Sequence, residues 1–186
     1  RHPPRAPASP IPTRHPRIRP RDSATLLLLR QPQRRAEIFL GERSSKHAFF
    51  PNRYVFPGGG VDRSDGFVYA ATPLRNRVAA CLEQGATPHR ARAIAMAAIR
   101  ETFEETGLIV GEPASNPKAS APKGWVEFFK TGIAPTLDGL TYIMHAVTPP
   151  GRPRRFEARF FAIDADRVRG DTTDGSGALL KHSRVN

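Results

Sequence analysis

Residues 89–106, HRARAIAMAAIRETFEET, constrain this chain more than any other stretch. They are rich in Ala and in unbranched side chains, which lose little rotamer freedom in a helix. Thr87 and Pro88 stand in front as start signals, and Gly107 stands behind, where a left-handed cap is usual. The pattern predicts one strong helix. At about 100° per residue, Met96, Ile99 and Phe103 fall on one side and are expected to face a core. Glu101, Glu104 and Glu105 project from roughly the opposite side, within a single turn.

That placement is unfavourable twice over. Like charges three and four residues apart repel by roughly a few tenths of a kcal/mol per pair. The last turn of a helix also disfavours anions and favours cations. A chain shaped for stability alone would carry Lys or Arg there. Arg100 can neutralise one carboxylate, which leaves two or more for another positive group. Ligands that are all carboxylate oxygen suit a hard divalent ion, Mg²⁺ or Mn²⁺, rather than Zn²⁺. The alternative is a solvated acidic face, and its position in the last turn makes that alternative costly.

Structure is expected to begin at Ala24. Residues 24–30 (ATLLLLR) suit a buried strand and 36–41 (AEIFLG) a second, with a turn at 32–35. Residues 49–60 read as loop-rich, with a short strand at 54–56 and a glycine turn after it. Residues 72–83 look helical and are expected to bury Cys81. After Gly107 come a strand at 108–110, a Pro/Ser/Lys linker at 112–123 and a short helix at 125–130. Strands follow at 140–147 and 156–163. There is no internal repeat.

The run Arg100-Glu101-Thr102-Phe103-Glu104-Glu105-Thr106-Gly107-Leu108 resembles the helix half of the Nudix box, G-x5-E-x7-R-E-U-x-E-E-x-G-U, where U is a bulky aliphatic residue. Five fixed matches at this spacing arise by chance about once in ten thousand chains of this length. The other half departs from the pattern. Phe56-Pro57-Gly58-Gly59-Gly60-Val61-Asp62 resembles the loop before the helix, but Asp65 stands where the pattern has Glu. The seven-residue spacer has become 34 residues, from Gly66 to Ile99, and Thr102 replaces the aliphatic. The words RSSKHAFFPNRYVFPGGGVDRSD and PPGRPRRFEARFF are similar to one Nudix branch, the peroxisomal-type coenzyme A and acyl-CoA diphosphatases. The resemblance covers roughly residues 22–163.

The resemblance implies an α/β fold, a Nudix-type α/β/α sandwich with a mixed central β-sheet. It implies a metal-dependent hydrolase that cleaves a diphosphate linkage in a nucleoside-diphosphate derivative, with CoA-type substrates preferred. Glu101 and Glu105 would be metal ligands, with the Gly58 carbonyl as another; Glu104 is either a ligand or an acceptor of the water's proton. Arg100 would orient the carboxylates. Asp65 would support rather than react. Gly59 and Gly60 would receive substrate. Arg43 and Arg53 are candidate phosphate contacts, because guanidinium forks match phosphate oxygens, with surface charge the alternative. Arg154, Arg155 and Arg159 have a weaker claim of the same kind, and His47, His89 and His145 read as structural or exposed. Rival readings are hydrolysis of capped RNA or of a nucleotide sugar, and a ligand- or RNA-binding module without turnover.

A length of 186 residues allows one ordinary domain with a tail, and 39% hydrophobic residues can bury a core. The net charge of +12 is unevenly placed: residues 1–35 hold nine Arg against one acid, Asp22. Seven prolines in the first twenty residues predict an extended arm over 1–21. Any nucleic-acid contact is expected through that arm alone. The hydrolase domain is expected over 22–170, with an insertion at 66–88. Residues 171–186 form a short polar segment that offers no closing helix. Either the chain is cut short there or that face is covered differently, and a homodimer is one remedy. Cys81 is the only cysteine, so no intrachain disulfide or thiolate metal site is possible. This favours a reducing, cytoplasmic setting, and no apolar run is long enough to insert in a membrane.

Overall fold

The computed structural model describes residues 18–31, 37–42, 54–114, 121–170 and 181–184. The chain runs β1 (Arg21–Arg30), β2 (Glu37–Glu42), β3 (Tyr54–Val55), β4 (Gly58–Gly60), a 3-10 turn (Arg63–Phe67), α1 (Asn76–Glu83) and α2 (Pro88–Thr106). It continues with β5 (Ile109–Pro113), a 3-10 turn (Lys123–Trp125), α3 (Val126–Lys130), β6 (Ile133–Pro135), β7 (Thr141–Val147) and β8 (Phe156–Asp164). A 3-10 turn (Ala165–Arg167), β9 (Val168–Arg169) and β10 (Lys181–Arg184) complete it.

β1 is the axis of a mixed sheet ordered β10-β2-β1-β8-β7. One edge of β1 pairs in parallel with β8, from Arg21 opposite Phe156 to Leu29 opposite Asp164. The other edge is shared: β4 pairs with Ser23 to Thr25, and β2 with Leu29 and Arg30, both antiparallel. A second sheet, ordered β6-β5-β9, is antiparallel throughout. Strand alternation sends Ala24, Leu26 and Leu28 to one face with their partners Phe161 and Ile163, all buried. Burial of each such leucine contributes roughly 1.5–3 kcal/mol. On the opposite face Leu27, Leu29 and Phe160 are only half-buried, and Met144 is exposed.

α2 covers the first face. The Thr87 hydroxyl accepts from the Arg90 N–H at 3.3 Å, Pro88 fills the first turn, and Gly107 closes the helix at φ 71°. These are the predicted ends. Its packing differs from the single apolar stripe expected above. Every residue from Ala93 to Arg100 is buried, so the helix is enclosed on all sides. Its alanines permit this, since small side chains allow close approach from several directions at once.

Other expectations need correction. The strand starts at Arg21, three residues before Ala24, because parallel pairing with β8 extends it. The glycine turn is instead strand β4, whose backbone completes the edge of β1. The helix at 72–83 is shorter, Asn76–Glu83, and Cys81 is exposed, because Val78 and Leu82 form the buried face. Part of the expected linker, Glu112 and Pro113, is strand β5 paired to β6. β6, β9 and β10 had no sequence signal, and β10 turns part of the 171–186 segment into an edge strand on β2. No helix among the described residues is long and apolar enough to cross a membrane.

Candidate active site

The last turn of α2 lies against β4. A side chain at Gly59 would overlap the Glu101 carboxylate, so only glycine lets helix and strand meet here. The Gly58 N–H donates to Glu105 Oε2 at 3.0 Å, and the Gly60 carbonyl accepts from Arg100 Nη2 at 2.8 Å. Residues 58 and 60 therefore turn their backbone groups away from β1 and toward the helix. In a strand the N–H and C=O of one residue point the same way, so the Gly58 carbonyl faces the Glu105 side too. Gly60 itself is exposed, with open space where a side chain would be.

Arg100 is the centre of the cluster. Its Nε and Nη2 reach the two oxygens of Asp65 at 2.9 and 3.1 Å. Its Nη1 reaches Glu101 Oε1 at 2.8 Å and Glu104 Oε2 at 3.0 Å. With Gly60, that engages all five guanidinium donors. A saturated, buried arginine has no donor left for a further group. Burial alone would lower its pKa. The hydrogen bonds and charge of Asp65, with Glu101 and Glu104, outweigh that and raise it, so its positive charge is fixed.

Asp65 is fully buried and is not part of any carboxylate face open to solvent. It accepts from Arg100 twice, from the Asp62 N–H at 2.8 Å and from the Trp125 indole at 2.9 Å. The exchange with Asp62 is a capping box that fixes the start of the 3-10 turn. Thr102, in the usual aliphatic position, is buried with its hydroxyl donating to Ala98 O at 2.7 Å, so no polar atom is left unpaired.

The carboxylates differ in exposure. Glu101 retains 16% of its side-chain exposure and Glu104 42%. Burial pushes the Glu101 carboxyl above its usual range; Arg100 pulls it back, and repulsion from Glu104 and Glu105 raises it again. Burial is the main cause of that rise, and the neighbouring carboxylates add to it. Among the described residues, no three acidic, histidine or cysteine side chains close around one point. Arg100 instead draws one oxygen from each of Glu101 and Glu104, and Gly58 draws one from Glu105. Among the described residues the donor set is nonetheless wholly oxygen, which is the chemistry that accepts Mg²⁺ or Mn²⁺.

The other candidates divide. Arg43, Arg53 and His47 lie outside the described residues. Arg159 is no phosphate contact: it is 3% exposed and paired with Asp22 and Glu157. Arg155 is spent on the carbonyls of Thr148 and Ile18, while Arg154 is exposed. His89 is exposed and stacks on Phe67 with ring centroids 5.0 Å apart, and His145 lies 3.3 Å from Glu157. Sequence reasoning missed Trp125. Its only signal was a lone tryptophan, and nothing in the spacing ties it to Asp65 sixty residues earlier.

No protein-family model matches the chain. It is 26% identical over 156 residues to a Caenorhabditis elegans protein provisionally named nudix hydrolase 7, covering 78% of this chain and 45% of that protein. The chain thus spans under half the length of that curated relative. Its structure is similar to that of a NUDIX hydrolase from Alicyclobacillus acidocaldarius, with a TM-score of 0.62 and 25% identity over 89% of this chain and 78% of that one. The chain has the Nudix fold.

Proposed function

We propose that this chain, which sequence and structure alike group with the Nudix hydrolase superfamily, hydrolyses a diphosphate linkage in a nucleoside-diphosphate derivative, with CoA or acyl-CoA as the preferred class. The observation that carries the reading is the grouping of Glu101, Glu104 and Glu105 in the last turn of α2, held against a glycine strand by one saturated arginine. The CoA preference is supported by the resemblance of the sequence words around the glycine strand and after β7.

Glu101, Glu104 and Glu105, with the Gly58 carbonyl, would hold Mg²⁺ or Mn²⁺. A bound divalent ion supplies charge screening for the diphosphate and a more acidic water. The chain's own contribution is placement. Arg100 fixes Glu101 and Glu104, and the Gly58 N–H fixes Glu105. Gly60, with open space where a side chain would be, leaves room for a phosphate to approach, whereas Gly59 faces the Glu101 carboxylate. In hydrolysis water oxygen bonds to phosphorus, the bridging P–O bond breaks, and the leaving phosphate departs as an anion. Glu104, the most open member bonded to Arg100, would either join the metal ligands or take the water's proton. Arg43 and Arg53 would bind the phosphates.

The partner is a small molecule. Nucleic acid would be met only through the basic arm, and a second copy of the chain would cover exposed Ile143, Met144 and Phe156. The test is hydrolysis across CoA, acyl-CoAs, ADP-ribose, NADH and a nucleoside triphosphate with Mg²⁺, Mn²⁺ or EDTA. Metal-dependent release of 3′,5′-ADP from CoA species is expected. Cleavage of another diphosphate would keep the mechanism and reject the CoA preference; no cleavage by folded protein would reject the enzyme reading.

A further inference from the structure

We propose that Trp125, which lies outside the carboxylate motif, is a positioning residue for it: the indole N–H fixes Asp65, and through Asp65 the guanidinium that holds Glu101 and Glu104. The inference rests on the proposed function, because positioning matters only if those carboxylates do chemistry.

The argument is one of saturation. An ionised carboxylate offers about four acceptor sites. Asp65 fills them with Arg100 Nε and Nη2, the Asp62 N–H and the Trp125 indole N–H. Asp65 and Trp125 are both fully buried, so no solvent stands ready to replace a lost donor. Trp125 Nε1 and Arg100 Nε share the same oxygen, Oδ1, each at 2.9 Å. Loss of the indole donor leaves that oxygen under-satisfied, and it can recover only by turning toward Arg100 and moving the guanidinium. Because Arg100 has no spare donor, any movement is passed on to Glu101 and Glu104. A buried polar network with every site filled transmits a small displacement rather than absorbing it.

The surroundings of Trp125 make it a rigid support. Its backbone N–H donates to Pro122 O at 2.7 Å, and its ring meets Phe128 edge-on, with centroids 5.2 Å apart. The preceding residue, Gly124, runs directly over Arg100: a Cβ there would stand 3.3 Å from Arg100 Cδ. The turn Lys123–Trp125 thus braces the far side of the arginine from the glycine strand.

The test compares Trp125→Phe, which keeps an aromatic ring and loses the donor, with Phe128→Leu, which loosens the same cluster and keeps it. Three readouts are taken: solvent exchange of the Arg100 Nε–H by NMR, Mn²⁺ affinity, and kcat and KM on the best diphosphate of the panel. We expect Trp125→Phe to speed the exchange, weaken Mn²⁺ and lower kcat by about tenfold or more each, with KM little changed. Phe128→Leu, though it lowers Tm comparably, should leave the three within about twofold. Native-like values in Trp125→Phe overturn the proposal, as do equal losses in both variants. If the native chain neither binds Mn²⁺ nor cleaves a diphosphate, the functional reading fails, and the Arg100 exchange rate alone still decides whether Trp125 holds the arginine in place.

Discussion

The two ends of α2 solve opposite problems. At the first turn, Arg90 and Arg159 meet Asp22 and Glu157 in a closed network: Arg90 grips both oxygens of Asp22 at 2.6 Å, and Arg159 bridges Asp22 at 3.0 Å and Glu157 at 2.8 Å. Two cations face two anions, and hydrogen bonding to Asp22 raises the Arg90 pKa as a well-paired cation requires. At the last turn, Arg100 is paired with Asp65, Glu101 and Glu104, Glu105 accepts from the Gly58 N–H, and burial pushes the Glu101 carboxyl up rather than down. One end pairs its charges across β1, β8 and the helix; the other gathers three carboxylates in a last turn whose dipole disfavours them. Charge placement separates the part of the helix that holds the fold from the part proposed to work on phosphate.

The comparison breaks most sharply under substitution. Glu105→Gln and Glu104→Gln should each lower kcat by roughly 10²–10³-fold with native Tm, measured with saturating Mg²⁺. Asp22→Ala should do the reverse. It strips the buried Arg159 of one partner and should cost about 2–4 kcal/mol in urea unfolding, while kcat per folded molecule stays within about twofold. If Asp22→Ala abolished turnover without loss of stability, the division between the two ends would be wrong.

Glu101→Gln sharpens it. The folded carboxyl holds its proton more tightly than the unfolded chain does, so ionising it costs stability. That cost is fully present above the folded pKa and disappears as pH falls below the unfolded value. In EDTA the variant should therefore melt no lower than the native chain at pH 7, and the difference should close by about pH 4, near the ordinary Glu pKa. The smallest effect belongs to Thr102→Val. Its hydroxyl bonds only to Ala98 O, so the more usual aliphatic should change stability by less than about 1 kcal/mol and leave kcat alone.

What the sequence revealed follows from how local each feature is. The ends of α2 depend on Thr87, Pro88 and Gly107, residues adjacent in the chain, and could be read directly. So could the spacing of Glu101, Glu104 and Glu105, because helical geometry alone groups them. β4 could not: three glycines carry no alternation, and only β1, more than thirty residues earlier, makes them a strand. The four partners of Arg100 include Gly60 and Asp65, 40 and 35 residues away, so its saturation is a property of the folded chain. Arg159 misled for the same reason. Its sequence neighbours form a basic run, whereas its partner Asp22 lies 137 residues off. Cys81 sits one position away from the Leu82 side of α1, a margin that propensity cannot resolve.

The central claim is that the carboxylate-rich end of α2 takes a divalent cation. Titration of Mn²⁺ into the metal-free chain, followed by calorimetry and by Tm, tests it most directly, with Glu105→Gln and Asp22→Ala in parallel. The account predicts binding by the native chain with a rise in Tm, a loss of at least about tenfold in affinity in Glu105→Gln, and native affinity in the folded fraction of Asp22→Ala. Mn²⁺ binding that ignores Glu105, or no binding by a folded native chain, would contradict it.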